Sequence, residues 1–443
     1  MHRRLPAVIR SAMYALRGGF LVRPFIITIL LGVAGATLST AEETVPAIGA
    51  WIPEILFPSR QDPQVAQAIL SAIATSIMTV VSIVFAILLM TLTLASTQFS
   101  PRILVSFVRD QGTQWTLGVF LGTFSYCMAA LPAARSLPHA FVPVVTVTGA
   151  MLLALVCVGW LIFFINHISQ SVSVNHIVDR IARETELVID ELMPRRRLSL
   201  DLPEAIPADT CKNEIVILNR KSGYIRFIDV NYLVALARAW GIQIWLERRV
   251  GHFIPEGFPA MRASKGHRIT PEREAQLIAA IDIGPVRTMQ QDVEFGVIQI
   301  VDIALRAISP AVNDPSTAIS CVDQLSRILI RWLGRVPPPT YLYGPPHVLR
   351  VVLPQIRLER LLDTAFEQIR HYAQSDVAVS LRLLRAFNDI VRTVNDPDSR
   401  ATLLQRASRV VSGCAPHLPE DDLAKLRQRL TAIEANVVAR STR

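Results

Sequence analysis

Residues 65–96 read VAQAILSAIATSIMTVVSIVFAILLMTLTLAS, 32 positions without one charged side chain. A helix of that length reaches ~48 Å at ~1.5 Å per residue, more than a ~30 Å hydrocarbon core requires. The stretch therefore predicts a membrane-spanning helix that tilts or projects beyond the bilayer. Three further apolar runs flank it, at 20–38, 115–131 and 141–167, the third span being the shortest. Together they predict a multi-span α-helical membrane domain of four helices over residues 1–169.

The rest of the composition fits this division. Of 443 residues 51% are hydrophobic and only 18% charged, and the mean hydropathy is +0.37. Soluble domains carry about 25% charged residues, so a purely soluble enzyme, a disordered chain and a disulfide scaffold are all excluded. The net charge is +9, and only four of 45 basic residues are lysine. The arginines are spread along the whole chain, which reads as a compositional habit and not as a nucleic-acid surface. Five cysteines without a CxxC pair, and nine histidines without HxxxH or HExxH, predict no disulfide, metal or cofactor.

Arginine placement sets the expected orientation. Arg3, Arg4, Arg10, Arg17 and Arg23 precede the first span, and Arg180, Arg183 and Arg195–Arg197 follow the fourth. The loop after the first span holds Glu42, Glu43, Glu54 and Asp62 against Arg60. By the positive-inside rule both termini are cytoplasmic. Arg102 and Arg109 flank an apolar stretch, 103–108, expected to lie in the inner interface. Ser39-Thr40-Ala41 resembles a signal-peptidase site, but a 23-residue stretch before the apolar run is long for one.

No Asp or Glu falls inside the four apolar runs, which argues against proton or sodium coupling within the bilayer. The second span carries a hydroxyl stripe instead. Ser71, Thr75, Thr79, Ser82 and Thr93 fall on one helical face with Ala86 and Thr97. Such a stripe suits close helix packing, or the wall of a wet pore in an oligomer. Gly118 and Gly122 in the third span mildly favour close helix contact.

Beyond the spans a cytoplasmic α+β region is predicted. Residues 170–212 read as an amphipathic helix, with Ile177, Ile181, Val188 and Leu192 in phase, followed by a Pro-rich linker. Alternation returns in EIVILN (214–219), 223–229 and 243–248, with a short helix at 230–240 closed by Gly241. The layout G-Y-I…V-G-H-F-I-P-E-G-F-P resembles half of a lipoyl-like barrel-sandwich, so 213–265 is expected to form a small β module. No lysine sits at a hairpin tip, so no lipoyl or biotin attachment carries over. Residues 266–443 are mainly helical, with a strand at 347–353 and amphipathic helices at about 355–373, 375–394, 398–412 and 420–440 forming a C-terminal helical bundle.

The stretch 281–324 is the densest in polar groups. A helix is expected over 289–308, with Val293, Val297, Ile300, Ala304 and Ile308 as its core stripe. Asp292, Glu294 and Asp302 spread too widely around that wheel to hold one metal. Asp314 suits a helix N-cap and Pro315 the first helical position, a device repeated at Asn395-Asp396-Pro397. If this region holds a ligand, the candidates are Arg287, Asp292, Glu294, Asn313 and Asp314, expected to meet through the turn at Ser309-Pro310.

Three longer motifs carry a family likeness: STQFSPR (96–102), QDVEFG (291–296) and VDIALRAISPAVNDP (301–315). They resemble the bacterial predicted membrane proteins grouped as domain of unknown function 2254, over most of the chain to about residue 400. The resemblance implies a bacterial inner-membrane protein and implies no activity.

No GxSxG, P-loop, GxGxxG or Cys/His pair is present, so an enzyme is not expected. The favoured reading is a membrane-anchored binding or regulatory protein whose partners are the lipid bilayer and an unidentified ligand or protein. The alternative is a channel or passive transporter, with Ser71, Thr75, Thr79, Ser82 and Thr93 lining its pore. In either case a homo-oligomer is expected.

Overall fold

The computed structural model describes residues 21–45, 62–98, 110–135, 141–171, 173–193 and 213–441. The N-terminal arginines 3–17, the interfacial stretch 103–108 with Arg102 and Arg109, and the linker 194–212 lie outside them. Two compact units divide the chain, a helical one up to Ser173 and a mixed α/β one from Val174.

Four helices of the first unit are long and apolar enough to cross a membrane. They are α1 (Val22–Thr44), α2 (Pro63–Gln98), α3 (Gln111–Ala130) and α4 (Val144–Ser171). The third has the lowest hydropathy because it is the central helix. Half (50%) of its apolar window is buried by its neighbours, against 22% in each of the others. Neighbouring helices cover half of that window, so it needs fewer apolar side chains. Its start is set by Asp110, whose carboxylate accepts from Thr113 N and meets His167 Nε2 at 2.7 Å. The polar end of the fourth span is thus a helix-to-helix tie. Gly118 and Gly122 let Ile27 and Leu31 of α1 close on α3, and a Cβ at Gly35 would stand 2.6 Å from the Tyr126 carbonyl. The expected close helix contact is therefore between the first and third spans.

One acidic residue departs from its expected place. Helix α1 continues to Thr44, so Glu42 belongs to the helix and not to the following loop, and it is buried. Its carboxylate accepts from Val145 N (2.8 Å), Thr146 N (3.2 Å) and the Thr146 hydroxyl (3.1 Å). It caps α4, whose first N–H groups have no partner within their own helix. The hydroxyl stripe of α2 lies on its uncovered side, with Ser71, Thr75, Thr79, Ser82 and Thr93 all exposed. Its buried side, Ala66, Leu70, Ala74, Ile77, Val81 and Val84, joins the two apolar cores of the unit. Thr79, Ser82 and Thr93 donate to the carbonyls of Thr75, Met78 and Leu89 in their own helix.

The second unit opens with α5 (Val174–Leu192). Its strands and helices then follow as β1 (Ile215–Leu218), β2 (Gly223–Ile228), α6 (Val230–Trp240), β3 (Ile244–Leu246), β4 (Phe253–Ile254), β5 (Pro259–Ala263), α7 (Pro271–Ala279) and β6 (Ile281–Gly284). Next come α8 (Val293–Ala307), α9 (Pro315–Leu333), β7 (Tyr341–Gly344) and β8 (Val348–Val352). The strands form two sheets, β1-β5-β3-β8-β7 and β4-β2-β6, antiparallel except for the β3–β8 pair. The alternating 213–265 segment does supply strands, but the sheets also recruit β6, β7 and β8 from far along the chain. Ile217, Ile225, Met261 and Ile283 share one apolar core with Leu233 and Ala237 of α6.

Helix α8 begins at Val293, four residues later than its periodicity suggests, because Asp292 leaves helical geometry to cap it and accepts from Phe295 N. It is buried nearly all round instead of along one stripe. A Cβ at Gly296 would collide with Thr185, so only glycine lets α5 lie this close. Helix α9 completes the cover, held to α5 by Arg327 with Asp179 and Glu186 and by Arg331 with Asp190, which Arg335 just past the helix end also meets. Helix α10 combines Leu358–Leu362, a π-helical turn Asp363–Glu367, and Gln368–Tyr372. The chain ends in α11 (Val377–Val391), α12 (Pro397–Cys414) and α13 (Glu420–Ser441), the expected helical bundle.

Candidate functional site

Two buried carboxylates open α8. Asp292 and Glu294 lie at the helix N-terminus, where unpaired N–H groups and the aligned peptide dipoles favour negative charge. Both are matched by arginines from other segments. Arg287, on the connection after β6, binds Asp292 in bidentate fashion, with Nε to Oδ2 at 2.8 Å and Nη2 to Oδ1 at 2.9 Å. The same Nη2 reaches Glu294 Oε2 at 3.3 Å. Arg249, on the turn after β3, donates to Oε2 at 2.9 Å. Arg360 of α10 donates to Oε1 at 3.1 Å. Thr364 stands 3.2 Å from Oε1, sharing its one proton with the Arg360 carbonyl at 2.8 Å.

Local backbone geometry explains how these groups meet. Gly251 has φ +87°, and a Cβ there would overlap Asp292 Oδ2 and come within 2.6 Å of Arg287 Nη2. Glycine both makes the turn and leaves room for the ion pair. The turn is bonded to β2, since Gly251 N donates to the Ile225 carbonyl and Ile225 N to that of His252. Gln291 fixes the other approach by pairing both ends of its amide with the backbone of Ile228. On α10, Thr364 lies inside the π-helical turn, a distortion that often accompanies functional positions.

The two carboxylates titrate in opposite directions. Burial works against ionised Glu294, but Arg249, Arg287 and Arg360 outweigh it and hold its pKa down at about 2. Burial dominates at Asp292 and raises its pKa above the ordinary value, opposed by Arg287 and the Phe295 N–H. Both oxygens of Asp292 nevertheless accept hydrogen bonds, the pattern of an ionised carboxylate. Three guanidinium groups against two carboxylates leave the cluster one positive charge in excess.

A cavity of about 250 Å³ opens beside the cluster. Leu192, Trp332, Leu342, Leu353 and Ile356 supply an apolar wall, with Pro338, Pro339 and Pro354 around it. Arg249, Gln291, Asp292, Glu294 and Gln355 form the polar side. An apolar hollow with a few convergent polar groups is the usual form of a small-molecule site. Among the described residues no three His, Cys, Asp or Glu side chains group as a metal site.

Three of the five candidate residues are brought together here, namely Arg287, Asp292 and Glu294. Asn313 and Asp314 are not. They lie past the other end of α8, about 20 Å away along a 15-residue helix, so the turn at Ser309-Pro310 leads away from the cluster. Asp314 caps α9, accepting from Thr317 N and from its hydroxyl, while Asn313 is an exposed turn residue with φ +47°. Sequence reasoning missed Arg249, Gly251, Arg360 and Thr364. The Arg-Val-Gly run at 249–251 carried a weak signal for the first two, as an arginine beside a turn glycine.

A family model described as predicted membrane protein, domain of unknown function 2254, matches residues 17–389. Uncharacterised proteins of Mycobacterium bovis and of two Mycobacterium tuberculosis strains are each 31% identical over 407 residues, which is 89% of this chain and 76% of theirs. No solved structure matches it. The matched span includes the four candidate spans and every member of the carboxylate–arginine cluster, and stops before α12 and α13. The chain accordingly belongs to the family of predicted membrane proteins that carry domain of unknown function 2254.

Proposed function

We propose that this protein is a membrane-anchored ligand-binding protein of the bacterial inner membrane. Four spans hold it there with both termini in the cytoplasm, and the α/β unit binds a small ligand that regulates or reports through it. The observation that carries this reading is the 250 Å³ cavity, walled by apolar side chains and bordered by Arg249, Asp292 and Glu294. Catalysis is no part of the proposal, because both carboxylates are engaged by arginines and neither is left as a proton carrier. The test is a thermal-shift screen of the full-length protein in lipid nanodiscs against a small-molecule library. Binding at a hundred times Kd adds about 2.7 kcal/mol, an easily read rise in melting temperature. Compounds that stabilise the wild type but not Leu353→Trp, which fills the cavity, support the reading. A screen in which every hit acts equally on both proteins refutes it.

A second reading, an oligomeric passive channel, draws on the uncovered side of α2. Ser71, Thr75, Thr79, Ser82 and Thr93 are exposed within their own chain, as pore-lining residues of a ring would be before assembly. Ion flux in proteoliposomes that falls with Thr79→Leu at unchanged oligomeric state would favour it. Equal flux, or none, would set it aside.

A further inference from the structure

The polar groups around the cavity differ in how fully they are used, and this bears on the charge of what enters. Both oxygens of Asp292 and both of Glu294 already accept from guanidinium or backbone donors. Gln291 spends both ends of its amide on Ile228. Arg249 is different. Its side chain is only 14% exposed, and Glu294 is its one side-chain partner among the described residues. A guanidinium has five N–H donors, and among the described residues only the bond to Glu294 engages those of Arg249, which lines the cavity. Gln355 on the same rim likewise has no side-chain partner among the described residues. The unspent polar capacity is therefore chiefly donor capacity, within a cluster one positive charge in excess.

Resting on the ligand-binding reading above, we propose that the cavity takes a small monoanion with an apolar body. Its acidic oxygens would accept from Arg249 and the Gln355 amide, and its body would lie against Trp332, Leu342, Leu353 and Ile356. A cation would meet Arg249 at the wall and find no carboxylate oxygen free of a donor. A neutral molecule of the same shape would offer these donors a weaker acceptor. Size narrows the class further. At the ~30 Å³ that a water molecule occupies in the liquid, 250 Å³ accommodates roughly eight to ten non-hydrogen atoms. That is the size of a short aryl or alkyl carboxylate.

The test uses the full chain in nanodiscs and three probes that share one body: phenylacetate, phenylacetamide and 2-phenylethylammonium, titrated by calorimetry. The acid is expected to bind at least about tenfold more tightly than the amide, the ratio a charge-assisted hydrogen bond sets, and the ammonium more weakly still. Arg249→Gln should bring the acid down to the affinity of the amide, and Leu353→Trp should abolish binding of all three. Changing the nanodisc lipid from phosphatidylcholine to phosphatidylglycerol should leave the acid's affinity unchanged, whereas loss of the signal would mean that anionic lipid is the ligand and would overturn the small-acid assignment. Amide or ammonium binding as tight as the acid would overturn the anion class while leaving the cavity reading intact. No binding by any probe would overturn the class also, with the library screen then deciding the cavity reading alone. The ranking of probes on the wild type and the Leu353→Trp result do not depend on Arg249→Gln folding.

Discussion

Replacing Glu294 by glutamine removes one charge and almost no volume, so its effect measures the electrostatics of the cluster. The carboxylate is 3% exposed and faces three arginines that differ in burial. Arg360 is 67% exposed and water replaces its lost partner, so it contributes little. Arg287 is 16% exposed but keeps its bidentate bond to Asp292. Arg249, 14% exposed, loses its only anionic partner among the described residues and dominates the cost. Breaking a buried pair from one side costs about 3–5 kcal/mol. The depressed pKa of the carboxyl, set by the same arginines, is consistent with that figure. A carboxyl held at about 2 in place of its ordinary 4.5 is stabilised by roughly 3–4 kcal/mol, at about 1.4 kcal/mol per pH unit. Glu294→Gln should therefore lower the melting temperature of the α/β unit by roughly 6–10 °C at pH 7. The pH dependence has a definite sign. Because the folded pKa is depressed, the stabilisation is complete above about pH 4.5 and is lost as the pH falls towards 2. The gap between wild type and variant should therefore shrink between those limits. Asp292, whose folded pKa is raised, contributes in the opposite sense and recovers part of the loss in acid. The assay is thermal unfolding of the full chain in nanodiscs at several pH values, with the double variant Arg249→Met/Glu294→Gln beside it. The pair should couple by at least about 1 kcal/mol. A gap below 2 °C at pH 7, or one indifferent to acid, would refute the reasoning.

Three further outcomes are expected. Gly251→Ala should cost about 3 kcal/mol, combining the ~1–2 kcal/mol of a side chain at positive φ with displacement of the Arg287–Asp292 pair. Gly257→Ala, at φ +76° with open space around it, isolates the backbone share, and an equal loss in the two would remove the ion-pair argument. Glu42→Ala should destabilise the helical unit by about 2–4 kcal/mol, because two N–H groups and a hydroxyl at the start of α4 lose their acceptor. Glu42→Gln, which retains one carbonyl oxygen, should lose less in detergent unfolding, and the reverse order would contradict the capping role. Asp314→Ala should cost about 1 kcal/mol as a lost N-cap and leave probe affinity unchanged in calorimetry, since it lies at the far end of α8 from the cavity.

Residues whose roles depend on near neighbours are legible in the sequence alone. Asp314 and Asp396 cap helices where the Asp-Pro pairs predict, accepting from Thr317 N and Ser399 N. The hydroxyls of the second span share a face because periodicity alone assigns them to one. Glu42 was misplaced because its partners, Val145 and Thr146, are about a hundred residues away, and nothing local distinguishes a loop glutamate from one that caps a distant helix. The end of the 281–324 stretch misled for a related reason. Polar density along the chain does not reveal that a 15-residue helix separates Glu294 from Asn313 in space.

The amino-acid sequence by itself determined four apolar spans, a mixed α/β region after them and the family to which the chain belongs. Each of these rests on length, periodicity or contiguous motifs, and such properties survive without knowing what packs on what. Tertiary structure alone decided that Arg249 and Arg360 converge on Glu294 from 45 and 66 residues away. It also decided that α8 is enclosed on nearly all sides and that a cavity opens beside its first turn. A carboxylate enters such a setting only where distant cations arrive to compensate its lost hydration, and which cations arrive is set by how sheet, turn and helix fold over one another.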